Sequence, residues 1–292
     1  MKLRLHGLVL PRFFALPAAL AGMLMGPALL GRWSWDVLWV LASGAAGMAW
    51  AHQANSWLDY SWTGLDRGPE ASRSREKLYT GGQGVIARGL ITPQEVALGA
   101  FAWLTLSALL IAVAAWRTSP WVWLPWALIA PMTFGYSWAK LHWHPEVPLC
   151  LGFATFSTWL GMAVFGRPDF WLGFVGSLPL FLIWAMAEQV DQAIDYEPNW
   201  PKGARSSGMW WRHKGLPLGS LVSLMVSLSV LAQGLLIIAD ILSVWTAVSL
   251  AATFPLAVCV LTIDRKERAG VMWGLAGVTL YQSLLVLGQA LG

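Results

Sequence analysis

The stretch that decides the fold is residues 169–195, DFWLGFVGSLPLFLIWAMAEQVDQAID. Residues 170–187 are eighteen in a row without a charge. A helix needs about 20 apolar residues to cross the hydrocarbon of a bilayer, so this segment reads as a membrane span. It then closes on Glu188, Asp191 and Asp195. Carboxylates inside a membrane are costly and face a cavity or an interface, so this end of the span is where polar chemistry is expected.

Eight further segments have the same character. With the first they run roughly 12–31, 34–58, 94–115, 121–141, 147–166, 169–195, 217–239, 241–262 and 271–291. Of the 292 residues 57% are hydrophobic and 12% charged, against about a quarter charged in soluble domains. The mean hydropathy is +0.57. Pro and Gly inside several spans are tolerable where neighbouring helices re-pair the freed backbone. A transmembrane β-barrel would show alternating segments of about ten residues, and the sequence has none. The expected fold is an all-α polytopic bundle of about nine transmembrane helices, a single domain over residues 1–292. The first span is read as retained rather than as a signal peptide, because Pro11 and Arg12 interrupt its apolar run.

The charges sort by side. Sixteen of the nineteen Lys and Arg fall at the N-terminus or in the even-numbered loops, leaving Arg32, Arg117 and Arg167 on the other face. The positive-inside rule then puts the N-terminus in the cytoplasm and the C-terminus outside, in what is expected to be a bacterial inner membrane. Of the acids, only Asp36, Asp169 and Asp240 lie away from the basic side. Net charge is +4 with no dense basic run, which argues against nucleic acid as a partner. The loops at 59–93 and 196–216 are long and polar, and are expected to cap the cytoplasmic face. Cys150 and Cys259 fall inside spans without metal-type spacing. Most of the 21 Trp residues read as interfacial belts and packing. His142 and His144 read as solvated at the end of span four.

There is a faint internal repeat. Asn55 and Asp59 close span two, Asp191 and Asp195 close span six, and both pairs are offset by 136 positions. Four helices separate them, which suggests two four-helix halves plus one helix. Residues four apart share a helix face. Glu188 joins the second acidic face, and His52 and Gln189 lie within about a turn. Two such faces opposed across a bundle form an oxygen-rich cup that suits Mg²⁺, which keeps waters and bridges to phosphates. Nearby Arg and Lys would hold a diphosphate. For Asp66, Glu70 and Glu76, plain solvation at a helix end explains the residue equally well.

These residues carry a resemblance. Asn55-Ser56-Trp57-Leu58-Asp59 followed by Gly64-Leu65-Asp66 resembles the first Asp-rich motif of the UbiA superfamily of intramembrane prenyltransferases. Thr80-Gly81-Gly82-Gln83-Gly84-Val85-Ile86 and Gly89-Leu90-Ile91-Thr92-Pro93 resemble the segment that follows it. Tyr136-Ser137 with Lys140-Leu141 and Glu146 is similar to the stretch between the halves, and Asp191-x-x-x-Asp195 with Lys202-Gly203-x-Arg205 to the second motif. The pattern covers most of the chain and is most similar to the dihydroxynaphthoate polyprenyltransferase-like branch. Three departures stand out: Ser56 where the family has Asp, Asp66 one residue further on than the family pattern, and Trp138-Ala139 where it has Pro-Pro.

The resemblance implies transfer of a polyprenyl group from a diphosphate donor to an aromatic or quinone-precursor acceptor, with Mg²⁺ as cofactor, in contact with membrane lipid. By position, Asn55, Asp59, Asp66, Asp191 and Asp195 would serve the metal. Arg73, Arg88, Lys140, Lys202 and Arg205 would bind diphosphate. Asp59, Asp191, Asp195 and Tyr136 would be catalytic, with Tyr136 bordering the developing cation, since an aromatic face attracts positive charge. Two other readings remain: a secondary transporter using the acids as ion sites, and a catalytically degenerate protein of the same fold, for which Ser56 is the support.

Overall fold

A computed structural model of the chain describes residues 16–67, 86, 87, 89, 91–142 and 144–292. Within them every regular element is helical and no strand occurs. The helices are α1 (Leu16–Leu29), α2 (Val37–Ser61), α3 (Pro93–Arg117), α4 (Trp123–Ile129), α5 (Met132–His142), α6 (Glu146–Leu151), α7 (Ser157–Ala163), α8 (Phe170–Gly176), α9 (Leu178–Ile194), α10 (Tyr196–Asn199), α11 (Ser207–His213), α12 (Leu218–Ile238), α13 (Thr253–Thr262) and α14 (Glu267–Leu291). Among the described residues, α3, α12, α14 and the continuous segment Val244–Thr262 are each long and apolar enough to cross a membrane. The pair α8 and α9, bent by 50°, makes a fifth if the two halves are one span. The chain is an integral membrane protein by that measure.

Several segments expected to be single helices are broken, and the breaks have local causes. The 121–141 segment parts at Ala130-Pro131, between α4 and α5. Proline has no N–H to donate and crowds the preceding turn. The Trp50 indole donates to the Ala130 carbonyl at 3.3 Å. The 169–195 segment parts at Ser177, before Pro179. There the Ser177 hydroxyl donates to Phe174 O at 2.9 Å, and Ser229 on α12 donates to Pro179 O at 2.9 Å. Between α6 and α7 a π turn runs over Gly152–Phe156, and Ser157 donates to Gly152 O at 2.9 Å. Side-chain hydroxyls and an indole therefore satisfy carbonyls near the breaks, the accommodation that a bilayer demands.

Helix starts are set by local sequence. At α3, Thr92 and Glu95 form a reciprocal capping box with Pro93 at the first position. At α12, the Asp264 carboxylate accepts from Leu218 N at 2.7 Å and Gly219 N at 2.9 Å, tying the start of one helix to the loop after α13.

Packing runs around the bundle: α2 on α3, α9 on α12, α12 on α13 and α13 on α14. α14 then packs on α1, so among the described helices the last meets the first. α1 also packs tightly on α7. A Cβ at Gly161 would collide with the backbone carbonyl of Met23, so the two backbones touch where no side chain fits. On the face opposite the acidic helix ends, Arg117 pairs with Asp36 at 2.5 Å and Arg167 lies over Trp121 at 5.7 Å.

Candidate active site

The site gathers around one face of α5. Tyr136, Ser137 and Lys140 are all buried there, one helical turn or less apart. Lys140 Nζ donates to Asn55 Oδ1 at 2.9 Å and to Asp59 Oδ2 at 2.5 Å. Ser137 donates to the same Asn55 oxygen at 3.2 Å. Asn55 and Asp59 are only 5% and 2% exposed, and Lys140 5%. A charge so deeply buried persists only when paired, and this pair also receives amide and hydroxyl partners.

From the same helix face, Tyr136 reaches the other acidic motif. Its hydroxyl donates to Glu188 Oε1 at 2.5 Å, and Gln192 Nε2 donates to that oxygen at 2.8 Å and to the Tyr136 hydroxyl at 2.9 Å. The Lys140 ammonium sits 4.4 Å from the centre of the Tyr136 ring. An unbroken path of contacts therefore runs from Asp59 through Lys140 and Tyr136 to Glu188. Gln192 was not anticipated from sequence. Its position one turn after Glu188 was the available signal.

The two loops that follow the motifs are joined as well. Gly64 takes φ +73°, a conformation that suits glycine, and the turn it makes returns Asp66, whose N–H donates to Asp59 O at 3.1 Å. Gly203 takes φ +94° in the second loop. Next to it, Lys202 Nζ donates to the carbonyls of Leu65 at 2.6 Å and Arg67 at 2.8 Å. Arg205 N donates to Lys140 O at 2.6 Å, and its exposed guanidinium lies 4.1 Å from the Trp200 ring centre. Buried Glu146 holds the second loop from below, accepting from Ser207 N at 3.2 Å while His144 Nδ1 lies 3.2 Å away. α11 lies against α9 so closely that a Cβ on Gly208 would strike the Gln189 carbonyl.

Asp191 is half-buried on α9, and buried Asp195 caps its C-terminus. Asp66 is half-buried. Arg73 and Arg88 lie outside the described residues, as do Glu70, Glu76 and most of the first loop. Of the remaining candidates, the structure places Asn55, Asp59 and Lys140 in one cluster joined to Tyr136, and Lys202 and Arg205 in a loop that touches it. Among the described residues, no three His, Cys, Asp or Glu side chains stand close enough together to hold a metal ion by themselves.

Beneath this polar layer lies an apolar cavity of about 70 Å³. Ala51, Met132 and Thr133 line it, each one turn before Asn55, Tyr136 and Ser137 respectively. Gly47, Trp50 and Phe153 line it further in. The cavity is thus reached along the same helix faces that carry the polar groups.

No family model matches the sequence, and no curated protein matches it significantly. Solved structures do. A UbiA homolog from Aeropyrum pernix K1 in its apo form aligns over 95% of this chain and 96% of its own, with a TM-score of 0.66 at 16% identity. A UbiA homolog from Archaeoglobus fulgidus bound to GPP and Mg²⁺ aligns over 99% of both chains, with a TM-score of 0.59 at 15% identity. A digeranylgeranylglyceryl phosphate synthase aligns over the whole of both, with a TM-score of 0.59 at 13% identity. The fold is that of the UbiA homologs.

Proposed function

We propose that this chain is an intramembrane prenyltransferase, moving a polyprenyl group from a prenyl diphosphate to an aromatic or quinone-precursor acceptor. The observation that carries the reading is the union of the two motifs through one helix: Lys140 on Asn55 and Asp59, and Tyr136 on Glu188, over an apolar cavity. A donor with a charged head and a greasy tail fits that layering. The Archaeoglobus fulgidus homolog's binding of GPP and Mg²⁺ supports the same reading. The finer readings are that the bundle has nine spans in two four-helix halves plus one, and that it lies nearest the dihydroxynaphthoate branch. In the same reading the loops at 59–93 and 196–216 cap the cytoplasmic face of a bacterial inner membrane.

The donor set fits Mg²⁺ in kind, since Asn55, Asp59, Asp66, Asp191 and Asp195 offer only hard oxygens. Mg²⁺ is usually held by one or two carboxylates plus substrate phosphates, so the lack of a three-carboxylate cluster among the described residues suits a site completed by diphosphate. Mg²⁺ bound there would supply charge neutralisation of the leaving diphosphate. Lys140 supplies a buried ammonium beside Asp59, and Lys202 and Arg205 supply further cations from the second loop; Arg73 and Arg88, outside the described residues, are proposed for the same role from sequence alone. The Tyr136 ring, which already faces an ammonium, offers the same face to positive charge developing on the allylic carbon.

The test is direct. The purified protein in detergent is incubated with geranylgeranyl diphosphate, Mg²⁺ and a panel of aromatic acceptors, and prenylated product and released diphosphate are measured. Product that disappears in Asp191→Ala and Asp195→Ala is the expected result. No product with any pair, and no Mg²⁺-dependent binding of donor, would overturn it. Ser56→Asp separates a degenerate protein from an active one: a large gain in rate would show a native site impaired by Ser56.

A further inference from the structure

Glu188 differs from the other acids of the site in its partners. Asp59 is met by an ammonium, whereas Glu188 Oε1 is met by two neutral donors, the Tyr136 hydroxyl at 2.5 Å and Gln192 Nε2 at 2.8 Å. Among the described residues no hydrogen bond reaches its second oxygen, Oε2, although the residue is half-buried. A carboxylate accepts at both oxygens. Two neutral donors at Oε1 fix the orientation of this carboxylate, and its second oxygen is left to accept from elsewhere. The Tyr136 ring lies between it and the Lys140 ammonium.

Prenyl transfer to a nucleophile has to dispose of a proton. A C–O bond to diphosphate breaks, the pair leaving with diphosphate. A pair from the acceptor forms the new bond to the allylic carbon, and a proton leaves the acceptor. Resting on the prenyltransferase reading, we infer that Glu188 receives that proton at Oε2, from an acceptor that presents a hydroxyl to it. The acceptor is therefore a phenol or alcohol that is uncharged at this position, because a second carboxylate there would face Glu188 with like charge. Glu188 is a catalytic residue joined to Lys140 through Tyr136, with Tyr136 and Gln192 as its positioning residues.

The experiment uses the full chain in detergent with geranylgeranyl diphosphate, Mg²⁺ and a panel of phenols and primary alcohols, each paired with its methyl ether. Wild type should turn over at least one hydroxyl compound and prefer it to its ether by roughly 100-fold or more, since a site built for a hydroxyl rejects the analogue lacking it. Glu188→Gln should lose at least about 100-fold in kcat, the usual scale of acid–base catalysis, and the preference over the ether should collapse. Donor KM and the Mg²⁺ requirement should stay within about threefold. Glu188→Asp, which keeps a carboxylate, should recover part of the rate and guards against misfolding of the Gln variant. Glu188→Gln turnover within threefold of wild type would overturn the inference. So would a tenfold shift in Mg²⁺ requirement, which would make Glu188 a metal ligand, or turnover confined to acceptors without a hydroxyl. Absence of Mg²⁺-dependent donor binding in wild type is a separate result, and would remove the prenyltransferase reading itself.

Discussion

Lys140 Nζ and Asp59 Oδ2 meet at 2.5 Å with both residues at most 5% exposed. They join α5 to α2 across 81 residues of sequence. Breaking a buried pair by deleting one partner costs about 3–5 kcal/mol, because the other charge is left uncompensated. Lys140→Met should therefore lower the unfolding midpoint in detergent sharply. The double variant Lys140→Met with Asp59→Leu should recover most of the loss. Equal stability of the single and double variants would show that the pair is not isolated from water.

Tyr136→Phe keeps the ring beneath the Lys140 ammonium and removes only the donor to Glu188. A lost buried hydrogen bond is worth about 1–3 kcal/mol, partly offset here by Gln192. Stability should fall little, while product formation should fall at least tenfold, as measured by steady-state kinetics. A Tyr136→Phe enzyme as fast as wild type would restrict Tyr136 to packing.

Gly208 is a position where size alone should matter. Its missing Cβ lets α11 rest on the Gln189 carbonyl, and α11 follows the loop bearing Lys202 and Arg205. Gly208→Val should displace that loop, costing on the order of 1–3 kcal/mol as overpacking does. Limited proteolysis between residues 200 and 216 should accelerate, and donor KM should rise.

Ser107 lies at the far wall of the cavity, where its hydroxyl donates to Ser43 O at 3.0 Å and accepts the Trp126 indole at 3.0 Å. Ser107→Ala would orphan the indole in an apolar wall, at a cost of about 1–3 kcal/mol. Thermal unfolding should register it, and Ser107→Thr should restore part.

Ligand linkage gives a fifth measurement, independent of turnover. A donor that binds the folded state raises its stability by RT ln(1 + [L]/Kd), about 2.7 kcal/mol at a hundredfold excess over Kd. Geranylgeranyl diphosphate should raise the unfolding midpoint with Mg²⁺ present and much less in EDTA. An equal shift in both would remove the metal from the binding site.

Much of the candidate cluster was legible because its residues obey local rules. Asn55 with Asp59, and Asp191 with Asp195, are visible as i, i+4 pairs at the ends of apolar runs. Lys140, Lys202 and Arg205 are visible as charges a short distance beyond such runs. The breaks were not legible in the same way. Pro131 and Pro179 announce a possible kink. The donors that meet carbonyls near those breaks, Trp50 at Ala130 and Ser229 at Pro179, come from distant elements and leave no trace in the local sequence. Glu188 was seen as sharing the acidic face, but its partnership with Tyr136 was not. That pairing is made by the crossing of α5 and α9, and no spacing within either helix encodes it. The grip of Lys202 on the carbonyls of Leu65 and Arg67 is likewise a contact to backbone, which carries no residue signature.

The packing of α14 on α1 has a consequence for how the protein is made. Helices enter the membrane in order of synthesis, so α1 must wait, with one flank against lipid, until every other helix has been delivered. Its contacts with α2 and its Gly-rich contact with α7 give it earlier partners, the second available about halfway through translation. The half-built protein is thereby held together before the final helix arrives, and the last insertion acts as a latch. A ribosome stalled before residue 267 should leave an assembly that inserts normally yet is cleared by membrane quality control.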